Sequence, residues 1–243
     1  MKPLLCLLLL LFAFSLSAHA PVAVPIPKEP HHHLVLENSY VRVFRVSIPA
    51  NDATLLHQHD VPYIYVALGP ADVINAVQGK PEAHLVMADG QVGYSRGGSA
   101  HIARTDAGSS FNNVTIELLK PQGEPKNRCD KVVSGDPGPC ILERRTNSYT
   151  NSPSFETDSI KVYSLEMQPK AASQDVPETD ILLVGLDQAE LTVQSPGKPE
   201  VKLSGGNSLW LSRRTPQTIR NASDHPSRFL SIKFKESAVS AAH

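Results

Sequence analysis

The stretch Leu56-His57-Gln58-His59-Asp60-Val61-Pro62-Tyr63 places two imidazoles at positions i and i+2. On an extended chain such a pair leaves from one face, so one strand can offer both rings to a single ion. Ten histidines in 243 residues predict roughly 0.4 such pairs by chance, so the spacing needs support from its surroundings. That support lies about forty residues further on, where the glycine-rich run Gly93-Tyr94-Ser95-Arg96-Gly97-Gly98-Ser99-Ala100 leads to His101. Three neutral imidazoles suit iron, zinc, copper, nickel or manganese, and leave coordination positions open for water, oxygen or a bidentate ligand. Tyr63 has the strand parity of His57 and His59. Its hydroxyl is therefore expected on the same side, within reach of a metal-bound water or an oxygen-bearing substrate, whereas Asp60 is expected to point away.

Other residues with chemical capacity have plainer readings. His31-His32-His33 has the composition of a metal tract, but adjacent residues alternate sides, and a segment so near the mature N-terminus is expected to be solvated. His84 reads as an ordinary strand histidine and Trp210 as a core residue. Cys129 and Cys140 sit in a segment full of turn formers with no other cysteine or histidine beside them, which suits a local disulfide better than a zinc site. Asn113-Val114-Thr115 and Asn221-Ala222-Ser223 match the glycosylation sequon. No nucleophile elbow, phosphate-cradling loop or dinucleotide fingerprint is present, so hydrolase and nucleotide chemistry have no motif behind them.

The elements that must hold these residues read as strands. Runs of β-branched and aromatic residues, broken by Gly, Pro, Asn and Asp every 8–12 residues, cover Tyr40 to Ile48, Tyr63 to Leu68, Asp72 to Gln78 and Val114 to Leu119. The series then repeats at an offset of about 118 residues. Arg42-Val43-Phe44-Arg45-Val46-Ser47-Ile48 corresponds to Lys161-Val162-Tyr163-Ser164-Leu165-Glu166-Met167, and Gly79-Lys80-Pro81-Glu82 recurs as Gly197-Lys198-Pro199-Glu200. Tyr94-Ser95-Arg96 matches Leu211-Ser212-Arg213, and Phe111, Val114 and Ile116 match Phe229, Ile232 and Phe234. Four matches in one order indicate two copies of a β unit. The second copy has no histidine between Pro169 and Asp180, and its counterpart of His101 is Thr218 or Ile219, depending on register. It cannot hold the same ion, although Asp175, Glu178 and Asp180 could hydrogen-bond a polar ligand.

Taken together, His57-x-His59, Gly69 and the Gly97-Gly98 turn before His101 resemble the two motifs of the cupin superfamily, here as a two-domain bicupin with a degenerate second half. The resemblance implies an all-β protein of two antiparallel jelly-roll barrels, with His57, His59 and His101 as the metal ligands. It departs from the family at the glutamate of the first motif, where Tyr63 or Ile64 stands, and at the asparagine that follows the second-motif histidine, where Thr105 stands. Three-histidine sites of this kind are associated with iron-dependent oxygen chemistry on small molecules. The resemblance therefore implies a divalent ion, iron first, with manganese, zinc, nickel or copper as alternatives. Its function would be a dioxygenase-type or isomerase-like metalloenzyme with Tyr63 as a catalytic group, or a non-catalytic binder of a sugar or organic acid. Fold alone does not choose between these.

Composition agrees with a globular chain. Hydrophobic residues make up 41%, charged residues 19%, and the formal net charge of -1 offers no footprint for nucleic acid. Lys2, the apolar run from Leu4 to Phe14 and Ala18-His19-Ala20 have the form of a secretory signal peptide. The run is shorter than the roughly 20 apolar residues of a membrane span. The expected organisation is a signal peptide at 1–20, a histidine-bearing barrel at 21–120, a Pro/Gly-rich disulfide linker at 121–143, a degenerate barrel at 144–236 and a tail at 237–243. The expected setting is secreted or periplasmic, without a stable membrane anchor, with a small molecule as partner and a homodimer left open.

Overall fold

The computed structural model of the protein describes residues 22–106, 108–186 and 188–235. The leader at 1–20 and the tail at 237–243 lie outside them. The chain is all-β and forms two jelly-roll barrels, each made of two facing antiparallel-dominated sheets.

In the N-terminal barrel one sheet runs β1 (Val24–Pro25), β4 (His57–His59), β9 (Ser99–Arg104), β6 (Ala71–Val77), β7 (Ala83–Met87). The other runs β2 (His32–Glu37), β3 (Val41–Ile48), β10 (Phe111–Leu118), β5 (Tyr63–Ala67), β8 (Val92–Ser95). After β11 (Lys126–Asn127) and β12 (Arg144–Arg145), the order recurs in the C-terminal barrel. One sheet there contains β13 (Tyr149–Glu156), β14 (Ile160–Met167), β21 (Ser227–Phe234), β16 (Ile181–Gly185) and β19 (Ser208–Leu211). The second contains β15 (Ala172–Asp175), β20 (Gln217–Asn221), β17 (Glu190–Gln194) and β18 (Val201–Ser204). The duplicated Gly-Lys-Pro-Glu words occupy equivalent hairpins, β6–β7 and β17–β18. Gly79 and Gly197 take φ of 77° and 72° there, a left-handed conformation that glycine adopts without a Cβ penalty.

The strand sequences explain the packing. β3 is apolar on both sides because both sides are buried. Phe44, Val46 and Ile48 face the interior of the N-terminal barrel, while Val41 and Val43 face the other barrel. Val43, Ile64, Val66, Val114 and Ile116 from the N-terminal half join Phe155, Val162, Leu182, Leu230 and Ile232 from the C-terminal half in one core. The barrels therefore pack sheet against sheet within a single chain. Trp210 belongs to the margin of this shared core, with its ring 5.5 Å from Tyr40 and 5.0 Å from Phe234.

The segment between the barrels is stitched to the second one. β11 and β12 both pair with β13, and Cys129 and Cys140 are joined by a disulfide. Asn113 and Asn221 of the two sequons are buried. Asn113 accepts a hydrogen bond from Thr115, and Asn221 Nδ2 donates to the carbonyls of Met167, Gln168 and His225. Their role here is structural.

Candidate metal centre

β4 is three residues long, and its alternation puts both histidines inward, 1% and 2% exposed, with Gln58 between them turned outward. β9 pairs with it antiparallel so that His101 stands directly across from His57, the ring centroids 4.3 Å apart. The turn into β9 depends on Gly97, whose φ is 71°. A Cβ there would come within 2.3 Å of the Val61 carbonyl oxygen.

A fourth imidazole arrives from β2. His32 is paired with Val46, and its ring centroid lies 4.9 Å from His57 and 5.7 Å from His59. The nitrogen donors of His32, His57 and His59 all fall within 4.8 Å of one another, whereas His101, expected as the third ligand, stands beside His57 but outside that group. The expectation that the His31-His32-His33 tract is solvated fails at this residue. The tract does alternate, but β2 lies against β3, and the middle side chain is 5% exposed and turned into the barrel. His33 remains on the outside.

All four rings are fixed through Nδ1. His57 donates to the Leu55 carbonyl oxygen at 2.8 Å, His59 to Glu117 at 3.2 Å, His101 to Asn75 Oδ1 at 2.7 Å, and His32 to Glu29. A neutral imidazole that donates from Nδ1 keeps its lone pair on Nε2. Burial lowers the pKa of His57 to about 4 and of His101 to about 3, and pulls that of His59 down as well, so these three rings are uncharged at neutral pH. Burial alone would raise the Glu29 carboxyl. Hydrogen bonds from His32 and His31 outweigh it and hold the pKa at about 2, so the buried carboxylate stays charged.

Sequence reasoning missed Glu29, Asn75 and Glu117. Glu117 had a signal: in β10 the inward residues after Phe111 are Asn113, Thr115 and Glu117, a buried polar row facing the barrel interior. It supplies a carboxylate to the site although the first motif lacks one. Thr105, at the place of the motif's asparagine, is buried and donates to the Pro49 carbonyl at 2.6 Å, while Asn75 holds His101.

Tyr63 reaches the site by a different route from the parity argument. Between His59 and Tyr63 the chain crosses from one sheet to the other, and the tyrosine ring stacks on His59 from the opposite wall, centroids 4.0 Å apart. Burial raises its pKa to about 12, so its hydroxyl keeps the proton. Asp60 is exposed and accepts a hydrogen bond from Gln58. His84 is exposed beside Asp72, away from the centre.

The four histidines and Tyr63 line a cavity of about 70 Å³ whose other walls include Ile48, Leu85, Met87 and Phe111. Within it His101 Nε2 is buried and has no hydrogen-bond partner. A buried lone pair left unpaired costs about 1–3 kcal/mol, and a cation is the occupant that a set of neutral nitrogen donors fits. Histidines tied through the other ring nitrogen are the arrangement that ligand imidazoles need.

The second barrel has the same frame without the donors. Facing pairs on the cavity side of β15 and β20 are Ser173 with Ile219 and Asp175 with Gln217, none of them an imidazole, and Thr218 lies on the other face.

The chain has a two-barrel cupin fold with a histidine cluster in the first barrel. Solved structures share the fold. One is AerE from Microcystis aeruginosa, with a TM-score of 0.60 and 11% identity over 86% of this chain and 99% of that one. A cupin 2 conserved barrel domain protein from Leptotrichia buccalis gives 0.54 and 11% over 84% and 88%. The oxalate decarboxylase of Bacillus subtilis, a protein with Mn(II) centers, gives 0.57 and 11% over 90% and 79%. No protein-family profile and no curated protein sequence matches the chain. At these identities the likeness carries the fold alone.

Proposed function

We propose that the N-terminal barrel is a divalent-metal centre, with iron as the ion, that transforms a small oxygen-bearing molecule by dioxygenase-type chemistry. His57, His59 and His101 would hold the ion, with His32 as a fourth imidazole. One observation carries this reading: four clustered imidazoles are each tied through Nδ1, and His101 Nε2 is left buried without a partner. The Mn(II) centers of the oxalate decarboxylase with the same fold support a divalent ion in general. A set made only of nitrogens favours iron, copper, zinc or nickel over the oxygen-preferring manganese.

When bound, such an ion supplies Lewis acidity and, for iron or copper, electrons for oxygen chemistry. The chain's own residues do the rest. Glu117, Asn75, Leu55 and Glu29 fix the ring orientations. Tyr63, protonated and stacked on His59, offers a hydroxyl proton to a substrate oxygen. Ile48, Met87 and Phe111 keep bulk water from the centre. The Cys129–Cys140 disulfide and the apolar leader support an exported protein.

One specific observation favours a second reading, a binding protein without turnover: a cavity of about 70 Å³ has room for little beyond the ion and one or two small ligands. Elemental mass spectrometry on tag-free mature protein, beside His57→Ala/His59→Ala and His32→Ala variants, tests the site. One ion per chain, lost in the double variant, is expected, with oxygen uptake separating enzyme from binder. No ion after reconstitution with iron, zinc or copper would overturn the metal reading.

A further inference from the structure

A cavity larger than the histidine centre lies in the other barrel. The C-terminal barrel contains a cavity of about 560 Å³, whereas the histidine centre has about 70 Å³. Ligand pockets typically measure about 300–1,000 Å³, so only the former could house a molecule of more than a few heavy atoms. Its floor is apolar, formed by Leu165, Met167, Leu183 and Phe229.

Its wall carries two lysines side by side. Lys161 on β14 and Lys233 on β21 are direct cross-strand partners on the cavity side. Like charges placed opposite each other destabilise a sheet; Glu156 of β13, the partner of Lys161 on its other side, offsets part of this, but it is shared with Arg128 and Lys235, so an anion bridging Lys161 and Lys233 relieves the rest. Among the described residues neither ammonium is in an ion pair. Lys233 Nζ lies over the Tyr163 ring, 5.0 Å from its centroid. The neighbouring charges are largely engaged. Glu143 accepts from the Tyr163 hydroxyl at 3.0 Å, Arg144 donates to the Tyr149 hydroxyl at 2.9 Å, and Lys235 reaches Glu156 at 3.6 Å. Asp175 and Glu178, also in the cavity lining, are exposed.

We propose that the C-terminal barrel, having no imidazole ligands, is a metal-independent site for an amphiphilic organic carboxylate. The carboxylate sits between Lys161 and Lys233, and the apolar body lies on Leu165, Leu183 and Phe229. The site stands whether or not the first barrel holds metal.

Isothermal titration of the whole mature protein with sodium octanoate, against n-octylamine of equal chain length, tests it. The variants are Lys161→Gln/Lys233→Gln and, as rescue, Lys161→Arg/Lys233→Arg, with thermal unfolding to show that both fold. Octanoate is expected to bind one per chain and octylamine at least about tenfold more weakly. The glutamine pair should weaken octanoate by at least about tenfold, and the arginine pair should restore it, with metal content unchanged throughout. Equal affinity for acid and amine, no effect of the glutamine pair in a folded variant, or no octanoate binding at millimolar concentration would overturn the proposal.

Discussion

Glu117 shows how much of the centre depends on residues that do not face the ion. Its carboxylate takes the Nδ1 proton of His59 at 3.2 Å and meets Arg42 at 3.3 Å, so it fixes the tautomer of a ring that is itself 2% exposed. Glu117→Leu is expected to lower metal affinity about 100-fold and Glu117→Gln, which keeps an acceptor, about tenfold, measured by competition with a chromophoric chelator. Tyr63 separates binding from chemistry in the same way. Tyr63→Phe keeps the ring stacked on His59 and removes the hydroxyl with its hydrogen bond to Ser95, so metal content should be unchanged while turnover falls about 100-fold if the hydroxyl acts on substrate. At this scale the histidine pair was legible because its spacing matches strand periodicity, and His101 because a glycine-rich turn precedes it. His32 was not, because β2 has a weak burial alternation of its own and is placed by pairing with β3 at a distance in sequence. Glu29 and Asn75 gave no local signal either, since a buried acid or amide becomes visible only when its partner is brought alongside.

The elements that carry these residues are short, and their geometry is set by turns. β4 has three residues and is positioned by pairing with β9, so whatever starts β9 in the right place also places His101 across from His57. Gly97 does this at φ 71° with the Val61 carbonyl packed against its Cα; its neighbour Gly98 has φ 75° but open space where a Cβ would go. Both substitutions to alanine pay left-handed strain of about 1 kcal/mol or more, but only Gly97→Ala adds a backbone clash. Gly97→Ala should therefore cost about 3 kcal/mol in denaturant unfolding and reduce metal content, while Gly98→Ala should cost about 1 kcal/mol and leave the metal in place. A result with the two reversed would mean that the turn does not set the β4–β9 register. The repeated hairpins were readable in the sequence for the same reason: Gly79 and Gly197 sit where only glycine is comfortable, so the Gly-Lys-Pro-Glu word marks the same turn in each barrel. The sheet change between His59 and Tyr63 was not readable, because Pro62 and its neighbours look alike whether the strand continues or crosses.

On the scale of the whole molecule, the two barrels share their largest core. Leu182, Leu230 and Ile232 on one side and Val43, Ile64 and Ile116 on the other are all 0–1% exposed, so neither barrel can open without uncovering the inner sheet of its partner. Arg45 of the first barrel also donates to the Gly205 carbonyl of the second at 2.9 Å, and Arg228 pairs back with Asp89. The two halves are thus expected to unfold as one cooperative unit despite their separate interiors. Two reporters distinguish the halves: Trp210, the only tryptophan, lies in the second barrel's sheet, and the proposed metal site lies in the first. Leu182→Ala, which removes side-chain volume from the middle of the shared core, should cost about 2–5 kcal/mol. In urea it should move the Trp210 fluorescence transition and the release of metal to the same lower midpoint. Chelating the metal should lower the Trp210 midpoint as well, because a ligand held only by the folded first barrel stabilises the whole unit by mass action. Two separated transitions, with Trp210 indifferent to the chelator, would show instead that the interface is too weak to couple the barrels, and that the silent half folds without help from the half that carries the histidines.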